Sequence, residues 1–142
     1  MDIEISNRQN DLIIDIEEVK RLVKNVIDLE GQTCEEVYLH FVESKEMCSL
    51  HVQFFNDPAP TDCISFPIDD EKSEHRILGE VFVCPETAIH YAKENNVNAT
   101  DEAYLYVIHG LLHLMGYLDK TESEIKKMRA AESRHVENFQ KQ

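Results

Sequence analysis

Basic residues are scarce in this chain. Fourteen Lys and Arg stand against 28 Asp and Glu, a formal net charge of −14 over 142 residues. That balance argues against gripping nucleic acid with a broad basic face, because phosphate neutralisation supplies most non-specific affinity. Long apolar runs are missing too: none approaches the roughly 20 residues needed to span a bilayer. The opening Met1-Asp-Ile-Glu-Ile lacks the basic-then-apolar layout of a secretory signal. A cytoplasmic address with no membrane partner is therefore expected. The four cysteines, Cys34, Cys48, Cys63 and Cys84, form no Cys-x-x-Cys pair and no zinc-ribbon spacing, so they are expected to be reduced and packed. Repeats, linkers and low-complexity segments are absent as well. One domain is expected over 1–142, long enough for a real hydrophobic core.

What is present is a succession of short β-rich and amphipathic segments. Ile3 to Ser6 alternates apolar and polar residues and predicts a strand. Asp15 predicts a helix cap, with Glu17 and Glu18 in the first turn and Val19, Leu22, Val23, Val26 and Ile27 on one face, ending at Gly31. Val37 to Val42 predicts a second strand. Glu46 to Phe55 predicts a short helix carrying Leu50, Val52 or Phe54 inward, followed by a loop over Asn56 to Pro60. A Thr61-Asp62 turn leads into a third strand closed by Pro67. Beyond a polar connection, Leu78 to Cys84 predicts a fourth strand, and Pro85 opens a helix through about Asn95. Thr100 is the expected cap of the next helix, which is apolar almost all round, as in a helix passing through the middle of a fold. Thr121 opens a last helix to about Phe139. The expected fold class is α+β, with a small mixed four-stranded sheet packed with helices.

The most specific stretch is His109-Gly-Leu-Leu-His113-Leu-Met-Gly116-Tyr-Leu-Asp119. Histidines four apart on a helix lie about 6 Å from each other along the axis, so both imidazoles reach one ion. Gly116 permits the left-handed conformation that folds the chain back, and Asp119 then arrives as an oxygen ligand. Three protein ligands with room for water describe a catalytic zinc site, and one Zn2+ per chain is expected on His109, His113 and Asp119. This zincin-like helix follows the protease layout H-E-x-x-H-x-x-G-x-x-H, with Asp for the last histidine. A metalloprotease reading lacks its base, because Gly110 stands where the protease carries glutamate. His51 and His75 read as surface histidines, and His90 as packed or exposed.

The same residues, with Thr61-Asp-Cys-Ile-Ser-Phe-Pro67 and Leu78-Gly-Glu80, resemble the YbeY endoribonucleases, the rRNA maturation factors of bacteria. That family's pattern runs T-D-x-[LI]-S-F-P, L-G-[DE] and H-G-x-L-H-L-x-G-Y, and the resemblance covers about residues 34 to 130. It implies metal-dependent hydrolysis of phosphodiester bonds in single-stranded RNA, in 16S rRNA 3′-end maturation and ribosome quality control. The implied partners are ribosomal RNA and the small ribosomal subunit with its proteins, on whose basic surfaces an acidic chain can dock. Two positions depart from the pattern. Asp119 stands where the family has its third ligand, a histidine, and Phe55 stands where it has an arginine suited to holding a phosphate. Arg76 or Lys72, and Lys126, Lys127, Arg129 and Arg134 of the last helix, are left to bind RNA; a solvated face is the alternative for the helical group. Glu80 and Asp62 are the candidates for a general base, although an Asp in a Thr-Asp turn more often caps backbone. The missing arginine also raises a non-catalytic assembly factor that keeps the ion.

Overall fold

The apolar stripe of the first helix sets the layering. Asp15 caps α1 (Ile16–Leu29) by accepting from the Glu18 N–H at 3.1 Å, and Val19, Leu22, Val23, Val26 and Ile27 form its buried face. In this computed structural model, which describes residues 1–56 and 61–142, that face packs on a four-stranded sheet. The strands are β1 (Asp2–Arg8), β2 (Glu36–Val42), β3 (Cys63–Pro67) and β4 (Ile77–Val83), in the order β1-β2-β4-β3. β1, β2 and β4 run parallel, and β3 pairs antiparallel with β4, so the sheet is mixed as expected. The expected loop over Asn56 to Pro60 lies, apart from Asn56, outside the described residues.

Pleating divides the strand residues between two cores. Ile3, Ile5, Val37, Leu39, Phe41, Val81 and Val83 face the main core, which they share with α1, α4 (Ala99–Leu114) and α5 (Glu122–Gln140). Val42, Ile64, Phe82 and Cys84 make a smaller core on the other side, with Met47 of α2 (Ser44–Phe55). α3 (Pro85–Asn95) packs beside α4. Nine residues of α4 are buried, as its apolar circumference predicts.

Two local expectations are corrected. Met47, and not Val52 or Phe54, is the side chain α2 buries; Val52 and Phe54 remain 46% and 53% exposed, with Leu50 partly buried. The sheet side chains Val42 and Phe82 cluster with Met47 and Leu50 of α2, and in its last turn Phe54 packs against Phe66 at a ring separation of 4.8 Å. The cap of α4 is Asn98 rather than Thr100. Asn98 is extended and its side chain accepts from the Asp101 N–H at 3.0 Å, which leaves Thr100 inside the first turn. Asn is at least as good a cap as Thr, so the earlier residue wins. Thr121 does open α5, in a capping box with Glu124.

Candidate metal centre

His109 and His113 occupy successive turns near the end of α4, and their side chains are held from behind. The Tyr117 carbonyl can only accept, so His113 Nδ1 donates to it at 2.9 Å. His109 Nδ1 donates to Glu132 Oε2 at 2.7 Å. Burial raises the proton affinity of the Glu132 carboxylate, but the hydrogen bonds from His109 and Arg129 outweigh it and hold the group below the usual carboxylate range. In the neutral form of each ring, a proton on Nδ1 leaves the lone pair on Nε2. The two Nε2 atoms face each other at 3.0 Å.

Asp119 completes a triangle. Gly116, at φ 101°, turns the chain back, and Asp119 Oδ2 comes to 3.4 Å from His109 Nε2 and 3.2 Å from His113 Nε2. Three electron-rich atoms this close repel one another unless a cation lies among them. Tetrahedral zinc with bonds of about 2.0–2.2 Å needs ligand atoms about 3.3–3.5 Å apart. The observed edges of 3.0, 3.2 and 3.4 Å therefore fit a metal ion with little adjustment. The returning turn is itself anchored. The Tyr117 hydroxyl donates to Glu30 Oε1 at 2.7 Å, and Glu30 also accepts from Arg134 at 3.0 Å and from buried His135 at 2.6 Å.

Gly110 has a packing reason to be glycine. A Cβ built there would lie 2.5 Å from Val81 Cγ1 and 2.8 Å from Cys63 Sγ, and Ser65 Oγ donates to the Gly110 carbonyl at 3.1 Å. The helix thus lies directly on β3 and β4, which leaves no room for a glutamate base. The T-D-C-I-S-F-P segment supplies this bed through Cys63 and Ser65. Burial pushes the Cys63 thiol up to about 12, so it is an inert packing group; all four cysteines are free.

The other expected site residues separate. Two cavities open beside the triad, of about 880 Å³ and about 520 Å³, and both are lined by Asp62, His109 and Asp119. Asp62 thus sits at the mouth of the site. Glu80 does not: Val81 meets Gly110, so its neighbour Glu80 turns to the opposite face, where it accepts from His40 Nε2 at 3.0 Å. Arg76 is 6% exposed and its Nη1 donates to Gln32 Oε1 and the Thr33 carbonyl, each at 3.0 Å. Its charge staples the approach to β2 and is not presented to a ligand. Lys72 is exposed in a turn after β3, where its N–H donates to Asp70. Of the α5 group, Arg129 lines the larger cavity, Lys127 and Arg134 line a separate hollow of about 570 Å³ beside Tyr117, and Lys126 is simply exposed.

Glu132 was not among the expected residues, although a signal existed. It lies on the stripe Met128, Ala131, Glu132 and His135, the buried face of α5, where an acid needs a partner. Arg129 clamps its second oxygen at 2.7 Å. Glu132→Gln keeps the volume but removes the carboxylate behind His109. Outer-shell changes of this kind typically cost 10–100-fold in metal affinity; a drop of about that size is expected in a zinc-competition titration.

A buried helix carrying a His-x-x-x-His pair, a glycine turn and a returning carboxylate, laid on a mixed sheet, defines a class: small α+β domains built around a candidate metal helix. Within that class, residues 4–140 match the family described as Endoribonuclease YbeY, and the chain belongs to that family. It is 49% identical over 140 residues to an endoribonuclease YbeY of Protochlamydia amoebophila, covering 98% of this chain and 93% of that one. It is 40% identical over 134 residues to another from Chlamydia caviae, covering 91% and 85%. The solution structure of TM1509 from Thermotoga maritima is similar with a TM-score of 0.70 at 28% identity, covering 96% of this chain and 88% of that one. Family membership supports an endoribonuclease role.

Proposed function

We propose that this chain, as one domain over 1–142, is a zinc-dependent endoribonuclease that hydrolyses phosphodiester bonds in single-stranded RNA. Its proposed task is 16S rRNA 3′-end maturation and ribosome quality control in the cytoplasm, beside the small ribosomal subunit and its proteins. The observation that carries the reading is the triangle of His109 Nε2, His113 Nε2 and Asp119 Oδ2, with edges of 3.0–3.4 Å and both Nδ1 atoms engaged as donors. When bound, zinc supplies Lewis acidity at a phosphoryl oxygen and lowers the pKa of water towards about 7. Glu132 and the Tyr117 carbonyl fix the two imidazoles in the tautomer that ligates. Asp62, exposed and lining both cavities, is the proposed general base for the attacking water. A recessed site beside a helix admits unpaired chain more readily than a duplex. The acidic surface suits docking on basic ribosomal proteins, and rRNA is then delivered rather than gripped.

One observation favours a second reading, an assembly factor that keeps the ion without cleaving. No Lys or Arg is among the described residues lining the smaller cavity. Incubation of the chain with a single-stranded RNA separates the two. Cleavage that stops on chelation and returns with added zinc is expected. Activity that survives in Asp119→Ala protein marks a contaminating nuclease, and binding without cleavage leaves the assembly factor.

A further inference from the structure

The smaller cavity has an unusual wall. His109, His113 and Asp119 line it together with Cys63 and Ser65, and so do Tyr117 and Leu118 of the returning turn. His51 and Phe55, one helical turn apart on α2 with ring centroids 5.3 Å apart, line it as well. Phe54 packs on Phe66 of the sheet, so the next residue, about 100° further round the helix, is turned towards the groove. Phe55 is 54% exposed and Leu118 is 58% exposed, which water does not favour for an aromatic and an aliphatic side chain. The described residues of the lining include no Lys or Arg, and a net charge of −14 makes the surroundings poor for phosphate.

We propose that Phe55, backed by His51, is a stacking platform for an unpaired nucleobase next to the scissile phosphate. The inference rests on the nuclease reading and names how this site holds its substrate. A π-face accepts any base without charge, so an acidic protein can hold a polyanion through its least charged part. The two rings and the His109, His113 and Asp119 cluster line one groove, so a base stacked there would share that groove with the scissile phosphate. A base paired in a duplex is already stacked and cannot enter, so the platform selects single strands.

The chain has no tryptophan, so Phe55→Trp installs a single tryptophan on this wall, excited selectively at wavelengths the five tyrosines scarcely absorb. Emission of that variant is expected to be quenched by a phosphorothioate single-stranded oligoribonucleotide and unaffected by the same backbone carrying abasic sites. In cleavage assays Phe55→Ala is expected to raise KM by ~10- to 100-fold, and the conservative Phe55→Trp to recover most of that loss. Competition by the base-bearing strand over the abasic one is expected in wild type and lost in Phe55→Ala. Wild-type KM in Phe55→Ala protein, or an unquenched tryptophan while the protein cleaves RNA, overturns the platform and leaves the nuclease reading intact. Loss of self-association in Phe55→Ala with unchanged KM assigns the patch to a second copy and also overturns it. A wild-type chain that neither binds nor cleaves RNA removes both readings together.

Discussion

Replacing both helical ligands, His109→Ala/His113→Ala, is expected to leave a chain that purifies without metal and has lost at least about 10³-fold in kcat/KM on single-stranded RNA. The size follows from what is removed: Lewis-acid stabilisation of several kcal/mol, at 1.36 kcal/mol per tenfold. Wild type is expected to carry about one ion per chain by elemental analysis. Added zinc should raise its melting temperature, because a ligand that binds only the folded state stabilises it by mass action. Neither effect should remain in the double variant. The double variant, like loss of His109 alone, leaves the buried Glu132 carboxylate, 4% exposed, with only Arg129, so its fold is to be checked by circular dichroism alongside. Asp119→Ala is the matched control, because the Asp119 side chain is 41% exposed and its loss strands no buried group. A double variant that keeps one equivalent of metal would sink the ligand assignment.

The clustering of His109, His113 and Asp119 was legible because its geometry is local. Two histidines on one helix, a glycine at a positive φ and an acid three residues later lie within eleven residues of chain, and short-range rules place them. Residues whose fate depends on distant partners were not legible. Arg76 looked like a surface cation, yet its acceptors, Gln32 and Thr33, come from a segment 43–44 positions away. Glu80 was misplaced because a strand pleat decides which face a side chain takes, and only the packing of Val81 on Gly110 reveals that face. The sheet order is likewise non-local: β4 inserts between β2 and β3, so consecutive strands are not all neighbours. Helix α2 had an ambiguous pattern: of the inward candidates Leu50, Val52 and Phe54, Leu50 is partly buried, while the fully buried residue is Met47. What the pattern obscured on that helix is also what leaves Phe55 facing the groove.

Gly110→Ala is expected to be one of the most damaging single-methyl additions in the chain. In an exposed helix the change would stabilise by about 1 kcal/mol through helix propensity. Here the new Cβ would stand 2.5 Å from Val81 Cγ1 and 2.8 Å from Cys63 Sγ, where α4 lies on β3 and β4 and no neighbour is a flexible end. Overpacking of this kind costs roughly 1–3 kcal/mol beyond any local gain, so the melting temperature should fall by roughly 5–15 °C. The larger consequence is functional. His109 and His113 flank the glycine, so a helix lifted off the sheet carries both imidazoles away from Asp119 and from their anchors at Glu132 and Tyr117. A misplacement of about 1 Å is worth on the order of 10²-fold in rate. Stability and activity should therefore fall together, and a Val81→Ala background should recover part of both, because the cavity it opens receives the methyl group. A Gly110→Ala protein that melts within about 2 °C of wild type and cleaves at the same rate would mean that the helix can ride up without consequence, and that glycine serves some other end at this position.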